Sequence, residues 1–180
     1  MKKKLTTILA MLLCAIITIT GVCTETAYAA EDTTIKLTFK KKSVTYSVKE
    51  DGIERVNLKS LKKKWGKPSD TYEYYGIYGY TWSKGKTNFT YEDNTTTPER
   101  SLFVINIGDK NGSISGIKVG MKKSKVKKIL KEISNKVESS DEYGTINASI
   151  VDERVSISCE IKNGKVTHIY CEAYAEDVSK

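Results

Sequence analysis

One histidine, the two of the four cysteines that lie beyond the N-terminal segment holding Cys14 and Cys23, and one aspartate-led turn are the residues of this chain whose types could do chemistry. His168 lies between Cys159 and Cys171 near the C-terminus. A Cys–His dyad needs both side chains on one face, and a zinc site needs three or four ligands. The segments "RVSISCEI" and "KVTHIYCEAYAE" alternate apolar and polar residues and flank Asn163-Gly164, so they read as a hairpin. A two-residue loop would set Cys159 opposite His168 and mix the faces. A three-residue loop with Gly164 as a left-handed bulge sets Ile161 opposite Lys165 and gives one apolar face and one polar face. In that preferred register both cysteines share the apolar face. The polar face carries Ser156, Ser158, Glu160, His168 and Tyr170. The dyad is then broken. Cys159 and Cys171 are expected free and buried, four residues out of opposition. "DKNGS" at Asp109 has the opening of a calcium loop, but Gly120 stands where the twelfth-position glutamate belongs. It reads as a turn. No catalytic residue, metal site or cofactor is expected, and the chain reads as a non-enzyme.

The residue types that suit recognition lie elsewhere. "YEYYGIYGYTW", Tyr72 to Trp82, holds five tyrosines, a tryptophan and two glycines. Tyr and Trp offer large rigid rings with a polar tip, which suits interfaces as well as cores. Trp82 and Tyr80 are expected in the core, packed with Trp65 and Leu61. Tyr72, Tyr74, Tyr75 and Tyr78 are the candidate binding residues, with Gly76 and Gly79 freeing the chain to turn rings outward.

The elements that must position these residues are legible in part. Residues 30–50 alternate as two short strands or an extended arm. "NLKSLKKKWGKP" is a short helix: Asn57 can cap it, Val56 and Leu61 can staple it, and Gly66 and Pro68 stop it. "SLFVINIG" reads as a central strand. Val126, Ile129, Leu130, Ile133 and Val137 follow a 3.6 period and mark the strongest helix. That helix has Lys122 where a capping side chain belongs.

The N-terminus "MKKKLTTILAMLLCAIITITGVCTETAYAA" has a basic start, an apolar middle and Ala27-Tyr28-Ala29, so residues 1–29 are expected to be a secretory signal cleaved after Ala29. The mature chain is then secreted or envelope-associated, with no transmembrane segment. The lysine-rich start and sparse cysteine fit a Gram-positive bacterium. Removing residues 1–29 leaves 27 basic against 21 acidic side chains. Such a balance can hold an exported protein against an anionic surface, while scattered lysines also serve solubility. No nucleic-acid motif is present.

The two halves share a plan of one amphipathic helix followed by a meander. "SGIKVGMKKSKVKKIL" and the "WGKP" helix end resemble the helix motifs of the β-lactamase-inhibitor-protein-like and SmpA/OmlA-like superfamily of small exported bacterial proteins, over roughly residues 52–175. The first half lacks the Gly-Met lead, and the second lacks the Gly-x-Pro end. The resemblance implies an α+β fold of two tandem repeats, each one amphipathic helix packed on an antiparallel β-meander, at 52–112 and 113–180 after an extended segment at 30–51. It implies non-catalytic binding of a protein or cell-envelope polymer through an aromatic sheet face. The alternative is a structural protein held to the cell wall or membrane surface by basic charge.

Overall fold

The structure is a computed structural model, and it describes residues 33–49, 52–53, 58–95, 101–151 and 154–175. The segment read as a signal (1–29), the Asn57 cap and its Val56 staple lie outside the described residues. Among the described residues, no helix is long and apolar enough to cross a membrane.

The chain begins with a hairpin. Strand β1 (Thr33–Phe39) pairs antiparallel with β2 (Lys42–Lys49). Ile35, Leu37 and Phe39 point inward from β1, as do Tyr46 and Val48 from β2. The turn uses Lys40 and Lys41, both at positive φ. The Lys40 N–H is held by the Asn111 carbonyl at 3.0 Å. With β3 (Gly52–Ile53) and β8 (Gly112–Ile114) these strands form a four-stranded sheet in the order β3-β2-β1-β8.

Helix α1 (Leu58–Trp65) buries Leu61 and Trp65 and ends at Gly66, whose φ of 88° lets its N–H return to the Lys62 carbonyl at 2.9 Å. Then come β4 (Asp70–Tyr74), β5 (Ile77–Lys84), β6 (Thr87–Asn94) and β7 (Ser101–Ile107). Helix α2 (Lys123–Ile133) buries Val126 and Leu130. It leads into β9 (Lys136–Ser140), β10 (Thr145–Ile150), β11 (Val155–Lys162) and β12 (Lys165–Ala175). Lys122 makes no capping side-chain bond. Instead the Lys123 N–H donates to the Gly164 carbonyl at 2.9 Å, so the β11–β12 turn takes the place of a cap.

The expectation of two helix-on-meander repeats is overturned. The strands after the helices merge into one eight-stranded antiparallel sheet, β4-β5-β6-β7-β12-β11-β10-β9, and a second sheet packs on it. The reason is one of area. Eight strands at about 4.8 Å spacing span about 34 Å. An eight-residue and an eleven-residue helix are about 12 and 16 Å long and leave much of that width uncovered. The segment read as two short strands or an extended arm forms β1 and β2 and fills the gap, and the buried apolar side chains join one core.

Four rings tie the layers together. Trp65 of α1 meets Phe39 of β1 at 5.8 Å, Phe89 of β6 at 4.9 Å and Trp82 of β5 at 5.7 Å between centroids. Phe39 meets Phe89 at 5.3 Å. The Trp65 indole N–H donates to the Lys42 carbonyl at 3.1 Å, and that of Trp82 to the Gly66 carbonyl at 2.9 Å. Asp109 ties the hairpin ends. Its carboxylate accepts from the Lys86 N–H, the Thr87 hydroxyl, the Asn111 N–H and the Asn111 amide. This is the turn that sequence reasoning placed there.

The Tyr46 ring packs on that of Phe103 at 4.9 Å between centroids, and its buried hydroxyl has no hydrogen-bond partner among the described residues. An unsatisfied buried hydroxyl is a cost. Tyr46→Phe is therefore expected to leave stability unchanged or to raise it by up to about 1 kcal/mol, read by thermal unfolding; a loss above that would reveal a partner.

For Asp109, desolvation pushes the carboxyl up, but its four hydrogen bonds outweigh this and lower it from 3.8 to about 2. A group held below its unfolded value stabilises the fold above about pH 4. That contribution drains away as pH falls through about 2. Asp109→Asn should cost about 1 kcal/mol or less at neutral pH, since solvent screens this carboxylate, with the gap to wild type closing between pH 4 and 2. A gap unchanged over that window would refute the assignment.

Candidate binding face

The large sheet has two faces of opposite character, and strand register sorts every side chain. On the inner face one row runs Trp82, Phe89, Ile105, Cys171, Ile157, Ala148, Val137 across seven strands. All are apolar, and they meet the helices and the small sheet. One residue along, the outer row runs Ser83, Asn88, Asn106, Tyr170, Ser158, Asn147, Glu138. A second outer row crosses all eight strands: Asp70, Thr81, Thr90, Val104, Glu172, Ser156, Ser149, Lys136. Among the described residues no element lies across this outer face.

Hydrogen bonds between neighbouring strands order it. Thr81 and Thr90 hydroxyls meet at 3.1 Å, the Asn106 amide donates to the Asn88 carbonyl oxygen at 3.2 Å, and the Tyr170 hydroxyl donates to Glu172 at 2.8 Å. The face carries Asp70, Glu92, Glu138, Glu160 and Glu172 against Lys136, with Lys162 and Lys165 at one end. It is acidic in a chain whose formal charge is +8.

The tyrosine run folds as a hairpin at one side of this face. Tyr75 and Gly76, both at positive φ, make the turn between β4 and β5. Tyr72 pairs with Gly79, and its ring occupies the space a Gly79 side chain would need. Its hydroxyl donates to Glu92. Desolvation first, then the Glu92 bond and charge, push the phenol up. Tyr74 is 65% exposed and Tyr75 85%, and their rings meet edge to face at 4.5 Å. Tyr78 shares the parity of Trp82 and so lies on the inner side of the sheet. It is half-buried, with its hydroxyl pushed up by a hydrogen bond to Glu73 and then by that carboxylate's charge. Of the four candidate tyrosines, Tyr72 and Tyr74 are on the open face, Tyr75 is at its rim and Tyr78 is behind it. Gly79 does not free a ring to turn away; it makes the bed on which Tyr72 lies.

The β11–β12 register differs from both alternatives read in the sequence. The loop has two residues, with Lys162 opposite Lys165, and the ladder shifts between Glu160 and Ile161. Thr167 is therefore the extra residue. Cys159 faces Ile169 and Cys171 faces Ile157, so the cysteines are two residues out of opposition, not four. They are diagonal neighbours, about 7–8 Å apart in such ladders, and both thiols are free and buried. Burial pushes Cys159 up to about 12. It pushes Cys171 up as well, with smaller contributions from Cys159 and Glu172. His168 sits on the outer face opposite Glu160, away from both thiols. No group of three His, Cys, Asp or Glu that could hold a metal occurs among the described residues.

Tyr170 and its polar neighbours were legible as one face of the last hairpin. The Thr81, Thr90, Asn88 and Asn106 ladders were not singled out. Their signal was present as polar residues alternating with Trp82, Phe89 and Ile105.

The rings should split under substitution. Trp82→Ala is expected to cost about 3–5 kcal/mol, since Trp82 is 2% exposed. Tyr75→Ala should stay within about 0.5 kcal/mol of wild type. Equal losses for the two in denaturant unfolding would mean that the turn ring is structural.

No family model and no curated protein matches the chain. The chain is similar to the crystal structure of a DUF4309 family protein, YjgB from Bacillus subtilis subsp. subtilis str. 168. The likeness is at 12% identity over 67% of this chain and 80% of that one, with a TM-score of 0.34.

Proposed function

We propose that the chain is an exported, non-enzymatic binding module whose recognition surface is the outer face of the eight-stranded sheet, and that it takes a protein or a cell-envelope component there. The observation that carries this reading is the uncovered face itself, with Tyr74 exposed on it, Tyr75 exposed at its rim and Tyr72 held flat over Gly79. Solvated sheet faces are common, but large exposed aromatic side chains gathered at one corner of such a face mark a contact surface. Short hydroxyl and amide side chains keep the centre of the face shallow and supply hydrogen-bond donors and acceptors. The acidic balance of the face favours a neutral or basic partner. The opposition of His168 to both thiols across the sheet also supports binding over catalysis. The resemblance to inhibitor-like exported proteins points the same way, as does the signal segment read at residues 1–29.

The test is capture of partners from culture medium and from purified cell walls by the immobilised chain, compared with Tyr74→Ala/Tyr75→Ala and with Tyr170→Ala. Each change at a contact ring is expected to lower capture at least tenfold, as 1.4 kcal/mol or more would, while circular dichroism stays unchanged. Capture that persists in folded variants of all three positions would end this reading.

A further inference from the structure

The outer face of the small sheet holds a second feature, on the far side of the molecule from the tyrosines. Thr38 of β1 pairs with Ser43 of β2 on one side and with Ser113 of β8 on the other. Three hydroxyls therefore stand in one row across three strands. The Thr38 and Ser43 hydroxyls meet at 2.9 Å. The row lines a cleft of about 360 Å³. Lys36, Lys41, Lys110 and Lys118 stand around it, and Gly116, with nothing near where a side chain would begin, leaves its wall low. No carboxylate lines the cleft. The nearest one along the chain, Asp109, is committed to Lys86, Thr87 and Asn111. Among the described residues none of the four ammonium groups has an acidic partner within ion-pair distance.

We propose that this cleft binds a phosphate group. Four like charges around one cleft repel one another unless an anion enters, and their number exceeds what a single carboxylate would neutralise. Phosphate carries up to two charges and several acceptor oxygens. It can take ammonium groups as point charges and hydroxyls as directed donors at once. The cleft volume lies within the range of small-ligand sites. Free phosphate brings up to two charges to one point, whereas a polyol-phosphate polymer or a phosphatidylglycerol surface brings one charge per phosphodiester and repeats it; all offer the same acceptor oxygens. Because the two sheets pack through their inner faces, a phosphate-bearing polymer or surface held here leaves the tyrosine face pointing away from it.

The experiment titrates the isotope-labelled chain at low salt with three probes: inorganic phosphate, a glycerol-phosphate oligomer and phosphatidylglycerol vesicles. Inorganic phosphate is expected to shift the Thr38, Ser43 and Ser113 amide signals and to saturate. The tightest of the three probes identifies the source. Lys36→Gln/Lys118→Gln should weaken that probe at least tenfold. Lys125→Gln/Lys128→Gln on α2 removes the same charge from elsewhere and should weaken it less than threefold. Failure of all three probes to bind overturns the proposal. So does an equal loss in the two double variants, which would mean diffuse charge and no site. Both variants change exposed side chains, and unchanged thermal unfolding checks that each is folded.

Discussion

The structure depends on how Trp65 is held. This one side chain, at the last position of a two-turn helix, touches rings from both sheets and donates its indole N–H to the backbone of the small one. A helix of eight residues is too short to be stable alone. Its order comes from this anchor and from Leu61, both sealed in the core. Trp82 repeats the device in reverse. It rises from the large sheet and donates to the carbonyl of Gly66, where α1 ends. Each buried indole thus satisfies its donor on the neighbouring layer. The two bonds fix where the helix and the hairpin β1–β2 sit on the sheet. Everything placed on the outside of those layers inherits its position from them.

The same constraint makes one face of the large sheet available. Both helices and the small sheet are drawn to the side where Trp82, Phe89 and Ile105 project. Alternation then sends Thr81, Thr90, Asn88 and Asn106 to the other side. An antiparallel sheet tolerates this because its backbone bonds are satisfied in plane and the exposed residues are polar. The hydroxyl and amide pairs across the strands stabilise that layer modestly. The aromatic corner is the departure from this pattern. A solvated face has no need of Tyr74 at 65% exposure beside Tyr75 at 85%.

Much of this architecture was legible because apolar period and turn chemistry agreed. The stripe Val126, Ile129, Leu130 and Ile133 marked α2, although Val137, read as its last member, lies beyond the helix in β9, and the polar reading of Asp109-Lys110-Asn111 found its turn. The placement of Trp82 inside and of His168 opposite the cysteines also came from alternation. Three things were not legible, each for a physical reason. The β1–β2 turn uses two lysines at positive φ, with neither glycine nor asparagine to signal it; only the packing of Phe39 and the bond from Lys40 to Asn111 hold it. The ladder shift beside Glu160 moves the extra residue from the loop into the strand, and both placements give the same apolar face. The merging of the sheets is a matter of edges. Nothing local in β7 or β12 states that Ile105 will face Cys171, because strand pairing over that separation is decided by which edge is left to cover.

The charge pattern extends the logic of the two faces. Charge is kept out of the part of the inner faces that the core covers, and the lysines of this basic chain gather mainly over the outsides of the helices and the small sheet. Lys59, Lys62, Lys63 and Lys64 occupy α1, while Lys125, Lys128 and Lys131 occupy α2. The outer face of the large sheet took carboxylates instead. Solubility alone would be served by any mixture of the two signs on every surface. Segregation does something more: it gives the molecule a dipolar character, so that an anionic surface attracts the lysine side and repels the tyrosine side. Orientation by such a field needs no specific contact and weakens with salt. The cleft at Thr38 would then select among anions that the field has already gathered, and the layer order fixed by Trp65 and Trp82 keeps the two surfaces facing apart.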